Sequence, residues 1–322
     1  MDSSEQNGYS RRDFGKIVLA GLPLSMLLQK PDSKIDGVQI GSITYSFRTI
    51  PNAEDIIKAY VKIGLSEAEL MSNHAEQLVG APPAPPFGGG RGRGRGEMTP
   101  EQQAEARKAA EARAEEMRKW RSTLSMDKFK DVGKKFDDAG IELRLLTYNM
   151  NVNTTKDEDI EYGFEMAKAL GVRGITTSTQ VSMAKRIAPF ADKYKIRVGF
   201  HGHDQVDRPD EVSTEETFKT VMAASQYHCA NLDIGHYTAA NGDPIDFINK
   251  YHDRITNLHL KDRKKNHGPN VVWGQGDTPI KPVLQLVKAK QYDFPGNIEF
   301  EYEGDPVVEV AKCLQYCREA LK

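Results

Sequence analysis

The segment RVGFHGHD at residues 197–204 combines a short apolar strand pattern with a polar, reactive end. Successive side chains of a strand point to opposite faces, so His201 and His203 share one face. Eight strand-like segments alternate with helix-like segments from about residue 35 onwards. Eight strand–helix units in a chain of 322 residues predict an α/β fold, a single (β/α)8 TIM barrel.

The predicted strands are bounded by turn and helix-start signals. Asn52 is the predicted N-cap of a helix over Ala53–Ile63, and the segment STEE at 213–216 has the pattern of a capping box. We predict one barrel domain over residues 35–322. The predicted strands are Val38–Phe47, Glu67–Met71, Glu142–Asn149, Arg173–Ser178, Arg197–His203, Asn231–His236, Thr256–Lys261 and Asn297–Tyr302.

An insert over residues 78–120 lengthens the connection between the second and third predicted strands. It contains a Pro-rich stretch at 81–86, a Gly-Arg tract at 88–96 and a helix that starts after Thr99. Pro-rich and Gly-rich tracts do not build a core, so we interpret this part as a flexible linker. A lid over the active face, or a contact with RNA or an anionic polysaccharide, is the alternative.

Residues 1–34 have the pattern of an export signal and a linker. Arg11 and Arg12 precede an apolar run over Ile17–Leu28, which is shorter than the ~20 residues that span a bilayer. The paired arginines resemble a twin-arginine motif. We expect the protein to be exported, either to the periplasm or anchored to the membrane by an uncleaved signal. A basic amphipathic tail is the alternative.

The charge balance and the cysteine content exclude other classes. The chain has 44 Lys and Arg against 46 Asp and Glu, a formal net charge of -2. This balance lacks the basic excess of nucleic-acid-binding proteins, so no nucleic-acid partner is expected. Three cysteines are too few for a disulfide framework. No transmembrane span is predicted, and the oligomeric state is left open.

Side chains that bind metals lie at the ends of four consecutive predicted strands. The segments are HGHD at 201–204, LDIGHY at 232–237, NLHLKDR at 257–263 and IEFEYEG at 298–304. Because the inward-facing strand ends of a barrel converge, one His, one Asp, one His and one Glu can surround one ion. Imidazole and carboxylate ligands together suit Mn, Zn, Co or Fe better than Mg. We therefore predict a divalent metal site.

These segments, with GQGD at 274–277, resemble the sugar phosphate isomerase/epimerase superfamily of xylose isomerase-like barrels. The resemblance covers roughly residues 37–321 without the insert. It implies that the ion is bound by His201, Asp233, His259 and Glu301.

The first of these motifs departs from the superfamily pattern, which has Glu-Asn-His where this chain has His201-Gly202-His203. Ketose epimerases of the superfamily use two opposed Glu bases, and only Glu301 keeps that role here. Symmetric epimerisation by two carboxylates is therefore not expected.

Further residues have the chemistry for proton transfer or substrate binding. Glu301, His203 and His236 are candidate general bases. Lys261 is a candidate for stabilising negative charge or donating a proton. A salt bridge to a carboxylate such as Glu299 or Asp262 is the alternative for Lys261. The predicted substrate-binding residues, at the ends of earlier strands, are Tyr45, Glu69, His74 and Asn149.

The leading hypothesis is a metal-dependent sugar isomerase or epimerase that removes a proton next to a carbonyl. The first alternative is a lyase or hydrolase that cleaves 3-keto-glycosides after the same first step. A non-catalytic carbohydrate-binding barrel is the alternative from another class. All three hypotheses imply a small carbohydrate as the partner. An endonuclease is disfavoured by the net charge.

Overall fold

The computed structural model describes residues 30–83 and 99–322. The predicted signal motif at Arg11 and Arg12 and the Gly-Arg tract of the insert lie outside the described residues.

Eight parallel strands close into a barrel, which confirms the predicted fold. Within the described residues the strands follow chain order from β1 to β9, and pairing of β2 with β9 closes the parallel part. The first strand, β1, is a short antiparallel addition to β2. The bounds of β1 to β9 are Lys34–Ile35, Val38–Ile43, Glu67–Met71, Glu142–Thr147, Gly174–Thr177, Arg197–His201, His228–Asp233, Ile255–Leu260 and Gly296–Ile298.

The described residues also form α-helices that surround the barrel or lie at its ends. Their bounds, α1 to α11, are Ala53–Ile63, Ser72–Leu78, Pro100–Arg121, Asp127–Asp138, Asp157–Leu170, Ala184–Tyr194, Glu215–Ala223, Ile234–Ala239, Pro244–Tyr251, Ile280–Lys290 and Pro306–Ala320. Short 3-10 helices lie at Thr44–Phe47, Val181–Met183 and His252–Arg254. No helix in residues 30–83 and 99–322 is both long and apolar enough to cross a membrane.

Side-chain caps fix where several helices begin. Asn52 Oδ1 accepts a hydrogen bond from Glu54 N at the start of α1. Thr99 caps α3, which has Pro100 at its first position and is the helical part of the predicted insert. The predicted capping box at 213–216 is shifted, because Thr214 is the N-cap of α7 and Thr217 is its partner.

Several predicted strands extend too far at their carboxyl ends, among them the one predicted over Asn297–Tyr302, which ends at Ile298. The strand predicted over Val38–Phe47 ends at Ile43, and its last four residues form a 3-10 helix. The strand predicted over Asn231–His236 starts earlier and ends at Asp233. Asp233 accepts a hydrogen bond from His236 N and thereby starts α8, so His236 lies on a helix.

Apolar side chains fill the layer between the barrel and its helices, for example Phe129 and Phe136 of α4 and Phe247 of α9. The inside of the barrel is polar instead. The carboxylate of Glu69 is fully buried there and accepts hydrogen bonds from residues of four different strands. This polar axis leads directly to the carboxyl ends of the strands, where TIM-barrel active sites lie.

Candidate metal centre

A cavity of about 780 Å³ opens at the carboxyl ends of the barrel strands. Ligand pockets are commonly about 300–1,000 Å³, so its size fits a small organic substrate. Its wall combines charged, polar and apolar side chains. They include Tyr45, Arg48, Asn149, Met150, Asn151, Ser178, His201, His203, Asp204, His236, His259, Arg263, Asn270, Glu299 and Glu301.

Four buried side chains at the floor of this cavity form a cluster with metal-ligand spacing. They are His201 at the end of β6, Asp233 at the end of β7, His259 in β8 and Glu299 just after β9. One ligand atom from each lies within 4.8 Å of the others. Parallel strand ends converge in a barrel, which is how residues 98 positions apart in the chain meet here.

The atoms of the cluster fit a divalent ion. Among the described residues, His201 Nδ1 is a buried atom with no hydrogen-bond partner, and Asp233 Oδ2 is a buried atom whose neighbour is the Lys261 ammonium, 3.0 Å away. Burial holds the pKa of His201 well below its usual range, so its imidazole is neutral and has a free lone pair. Two imidazoles and two carboxylates form a donor set typical of transition metals and zinc.

Glu299, and not the predicted Glu301, belongs to this cluster. Both side chains point inward from the end of β9, but Glu301 lies one step nearer to solvent. The Glu301 carboxylate accepts hydrogen bonds from Lys261 Nζ at 2.6 Å and from Asn270 Nδ2 at 3.4 Å. Burial raises the pKa of Glu301, but the Lys261 ammonium outweighs this effect and the net shift is downward.

Lys261 lies beneath the cavity wall and neutralises the carboxylates around it. Its ammonium is 2.9 Å from Glu299 Oε2 and 3.0 Å from Asp233 Oδ2, in addition to its bond with Glu301. Its side chain is 3% exposed, so it acts on a substrate through the cavity-lining residues that it contacts, Glu299, Glu301 and His236. The structure thus places Lys261 in ion pairs, as the alternative proposed, with Glu299 but without Asp262.

Glu69 and His74, predicted to bind substrate, do not line the cavity. Glu69 lies below the metal cluster, where its Oε2 is 2.8 Å from His259 Nε2. A carboxylate in this position fixes the tautomer and the ring orientation of a metal-binding histidine. His74 lies on α2 with Nδ1 2.9 Å from Thr44 Oγ1, and burial lowers its pKa to about 4.

The other two predicted substrate-binding residues, Tyr45 and Asn149, line the cavity. Tyr45 is on the 3-10 helix after β2, and the Arg48 guanidinium lies 4.7 Å from the centre of its ring. Asn149 Oδ1 accepts a hydrogen bond from Ser178 N, which fixes its orientation between β4 and β5.

His203 forms a dyad with a carboxylate that the sequence analysis missed. Its Nδ1 lies 2.6 Å from Glu211 Oε1, and its Nε2 lies 3.3 Å from Ser178 Oγ at the cavity wall. Glu211 is in the loop after β6 and forms an isolated bridge with Gln180. A loop carboxylate eight positions from its partner has no local sequence pattern, so nothing in the sequence pointed to it.

His236 lines the cavity, but both of its ring nitrogens face cationic side chains. Lys261 Nζ lies 3.2 Å from Nε2, and Arg263 Nη1 contacts Nδ1. Arg263 Nη2 also donates to Asp204 Oδ2 at 3.0 Å. Burial and Lys261 together lower the pKa of His236. Because its nitrogens are engaged, His236 is suited to holding Lys261 and Arg263 in place rather than to taking a substrate proton.

Comparison with known proteins assigns the family. The family described as "Xylose isomerase-like TIM barrel" matches residues 104–320, about two thirds of the chain. Inosose dehydratase from Lactiplantibacillus plantarum is 28% identical over 135 residues, which are 36% of this chain and 43% of the relative. Inosose dehydratase from Clostridium tetani is 27% identical over 156 residues, 42% of this chain and 50% of the relative. The chain spans half or less of the length of these relatives.

Solved structures share the fold across most of the chain. The probable 3-DHS dehydratase AsbF from Bacillus anthracis has a TM-score of 0.59 at 15% identity, covering 88% of this chain and 98% of that one. The IOLI protein with a bound zinc atom has a TM-score of 0.55 at 14% identity, with 88% and 96% covered. A sugar phosphate isomerase/epimerase from Parabacteroides distasonis has a TM-score of 0.55 at 17% identity, with 89% and 96% covered. The chain belongs to the xylose isomerase-like TIM barrel family, an enzyme superfamily.

Proposed function

We propose that the protein is a metal-dependent lyase that removes a proton next to a ketone and eliminates an oxygen substituent from the neighbouring carbon. The substrate class is a keto sugar or keto polyol. The observation that carries the proposal is a pair of unlike acid–base groups on the cavity wall, three strands apart around the barrel. Glu301 is paired with Lys261, and His203 is paired with Glu211.

Glu301 is the proposed base. The ammonium of Lys261, 2.6 Å away, favours the ionised carboxylate, which can only accept a proton. Glu301 also lines the cavity directly. The carboxylate is therefore available to a C–H group of a bound ketone.

His203 is the proposed acid. Its Nδ1 is held by Glu211, so its Nε2 faces the cavity in a fixed orientation. A neighbouring carboxylate stabilises an imidazolium, which then delivers its proton from the other nitrogen. His203 can thus protonate an oxygen as the oxygen leaves the substrate.

The elimination balances without a further reactant. A divalent ion held by His201, Asp233, His259 and Glu299 would polarise the ketone and stabilise the negative charge that develops as the proton leaves. Glu301 takes the proton, the C–H electron pair forms a C=C bond, and the C–O bond breaks. The leaving oxygen takes a proton from His203, and water or an alcohol is released. Mn, Zn, Co and Fe are the proposed metals.

The relatives support elimination over the isomerisation that the sequence analysis placed first. The curated relatives are named dehydratases, and a dehydratase removes water from its substrate. Cleavage of a 3-keto-glycoside is the same reaction with an alcohol as the leaving group. An isomerase that returns the proton to the neighbouring carbon fits less well, because the second carboxylate base is absent at strand β6, where His201 stands.

The test is incubation of the metal-loaded protein with inosose and, separately, with a 3-keto-glucoside in D2O. We expect deuterium exchange next to the ketone, together with release of water or free aglycone. NMR measures the exchange, and the absorbance of the unsaturated ketone measures the elimination. A product that keeps every oxygen and differs only in configuration or carbonyl position contradicts the lyase and supports an isomerase. The control is the same protein after chelation of its metal.

A further inference from the structure

The helix of the insert, α3, is attached to the barrel by a small part of its surface. Most of its side chains are exposed, but Met117 is buried, and the side chains of Arg118 and Arg121 are only 13% and 17% exposed. Arginine is rarely buried without a partner. The two arginines therefore mark where α3 is held against the barrel.

Arg121 anchors α3 to two helices of the barrel. Its Nε donates to Glu76 Oε1 on α2 at 2.7 Å, and Glu76 is 3% exposed. Tyr162 of α5 donates to the same oxygen at 3.1 Å, and its ring centre lies 4.7 Å from the Arg121 guanidinium. Removing the arginine would leave a buried carboxylate without its cation, which is costly.

Arg118 connects α3 to a loop of the cavity wall. Its Nε donates to Asp159 Oδ2 at 3.1 Å, and its Nη2 donates to the Thr154 carbonyl at 2.9 Å. Asp159 also accepts a hydrogen bond from Lys156 N at the start of α5. One guanidinium thus holds both the end of the loop between β4 and α5 and the helix that follows it.

Further contacts connect this loop to His203, the proposed acid. Asn149, Met150 and Asn151 at its start line the cavity. Val152 N donates to Gln180 Oε1 at 3.1 Å, and Gln180 forms the bridge with Glu211, the partner of His203. An unbroken series of contacts therefore runs from α3 to the His203 dyad.

We propose that α3 is a brace for the substrate cavity and that Arg118 is its positioning residue, holding the loop at 149–156 in the shape that binds substrate. The insert would then influence substrate binding without touching the metal cluster. The structural part of this proposal is independent of the reaction, and only its kinetic test depends on the proposed function.

The first test compares Arg118→Met with Arg107→Met by hydrogen–deuterium exchange of the full chain. Arg107 is on the same helix, is 67% exposed and pairs with Glu111, so it is the matched control. We expect the amides of Val152, Thr154 and Thr155 to exchange roughly tenfold faster in Arg118→Met, as expected for loss of a charge-assisted hydrogen bond. Equal exchange in both variants overturns the proposal.

Arg118→Lys separates positioning from general stability. Lysine keeps a charge near Asp159 but lacks the planar fork that also reaches the Thr154 carbonyl. We expect the Lys variant to recover most of the wild-type melting temperature while the loop stays deprotected. Recovery of loop protection together with stability contradicts the role of the Thr154 contact. If Arg118→Met does not fold, hydrogen–deuterium exchange of the loop amides in Arg118→Lys tests the positioning role of Arg118 instead.

The kinetic test uses inosose as the substrate. In Arg118→Met we expect KM to rise several-fold more than kcat falls, with an unchanged metal content. A fall in kcat with constant KM, or a loss of metal, argues against a brace of the substrate cavity. If no variant and no wild-type protein turns over inosose, the proposed function fails for this substrate, and the exchange measurement still decides the role of Arg118.

Discussion

Glu299 and Glu301 are two positions apart on one strand end, and the structure gives them different partners. Glu299 lies 3.0 Å from His259 Nδ1 within the metal cluster, whereas Glu301 pairs with Lys261 and lines the cavity. Their substitution by glutamine keeps the size of the side chain and removes only the charge. The pair therefore allows binding of the metal to be separated from proton transfer.

We predict that Glu299→Gln loses bound metal and that Glu301→Gln keeps it. A missing charged ligand weakens binding directly, whereas loss of a general base lowers kcat by about 10²–10⁴-fold. Metal per protein is measured by elemental analysis after dialysis, and activity is measured under metal saturation. Loss of metal in Glu301→Gln, with none in Glu299→Gln, would reverse the assignment.

Glu67 is a fully buried carboxyl at the lower end of the barrel axis. Neither of its oxygens has a hydrogen-bond partner among the described residues. Burial raises its pKa well above the usual value of 4.5, although Arg144 opposes this shift. Between the unfolded and the folded pKa, the native state holds a proton that the unfolded state has lost. The stability contributed by this proton is complete below pH 4.5 and is lost as the pH rises.

We predict that Glu67→Gln removes this dependence, because an amide is neutral at every pH. The melting temperature of the variant relative to the wild type should rise between pH 5 and pH 8, measured by thermal unfolding. Glu105→Gln, an exposed change on α3, is the control and should follow the wild type. Parallel curves for Glu67→Gln and the wild type would show that Glu67 does not hold the proton.

The sequence allowed some site residues to be predicted but not others, for a geometric reason. Strand alternation predicts which side chains share a face, and the resemblance implied His201 and His259 as ligands; the structure places both in one cluster. Alternation does not give depth along the axis. For this reason Glu301 was chosen over Glu299, and Glu69 was placed in the cavity although it lies below the metal cluster.

At the scale of elements, Asp233 joins a strand to a helix while its second oxygen faces the metal cluster. Oδ1 accepts a hydrogen bond from His236 N at 2.7 Å and caps α8, whereas Oδ2 lies 3.0 Å from the Lys261 ammonium. Asn is as good an N-cap as Asp, but it lacks the charge. Helix capping and metal binding at this position are therefore separable.

We predict that Asp233→Asn and Asp233→Ala both lose metal affinity but differ in stability. In the presence of a chelator, the Ala variant should be less stable than the Asn variant by about 1 kcal/mol, the cost of a lost cap. Urea denaturation of both variants measures the difference. Equal stabilities would mean that the cap does not contribute to folding.

Elements with local start signals were predictable, and the junction at Asp233 was not. Asn52 and Thr99 predicted the starts of α1 and α3, because a capping side chain binds the backbone of residues next to it in the sequence. The segment LDIGHY has no such unambiguous signal, since its apolar residues fit a strand or a buried helix equally well. Packing against the rest of the barrel determines where this segment changes from strand to helix, and the strand ends at Asp233.

For the whole molecule, we predict that bound metal raises thermal stability. A metal that binds only the folded state at a free concentration of 100 times its Kd adds about 2.7 kcal/mol. Chelation should therefore lower the melting temperature by roughly 5 °C, because the shift is about 2 °C per kcal/mol at the upper end of the 150–250-residue range and falls as the chain lengthens. Glu299→Gln should show no such change. An equal response of the variant would place the stabilising ion elsewhere.

We also propose that the N-terminal segment directs export through its paired arginines. Fusion of residues 1–36 to a reporter should carry the reporter to the periplasm, and replacement of Arg11 and Arg12 by Lys should retain it inside the cell. Cell fractionation measures the outcome. Export of both fusions would assign the segment to another route.

The short strand β1 fixes the end of the barrel at which the described chain begins. Ser33 N donates to Ser66 Oγ, just before β3, and β1 pairs with the start of β2, so the chain enters at the amino ends of the barrel strands. The cavity opens at the opposite end. A group attached directly at Lys30 would therefore lie at the end of the barrel opposite the cavity mouth, where it would leave the mouth open to incoming ligand.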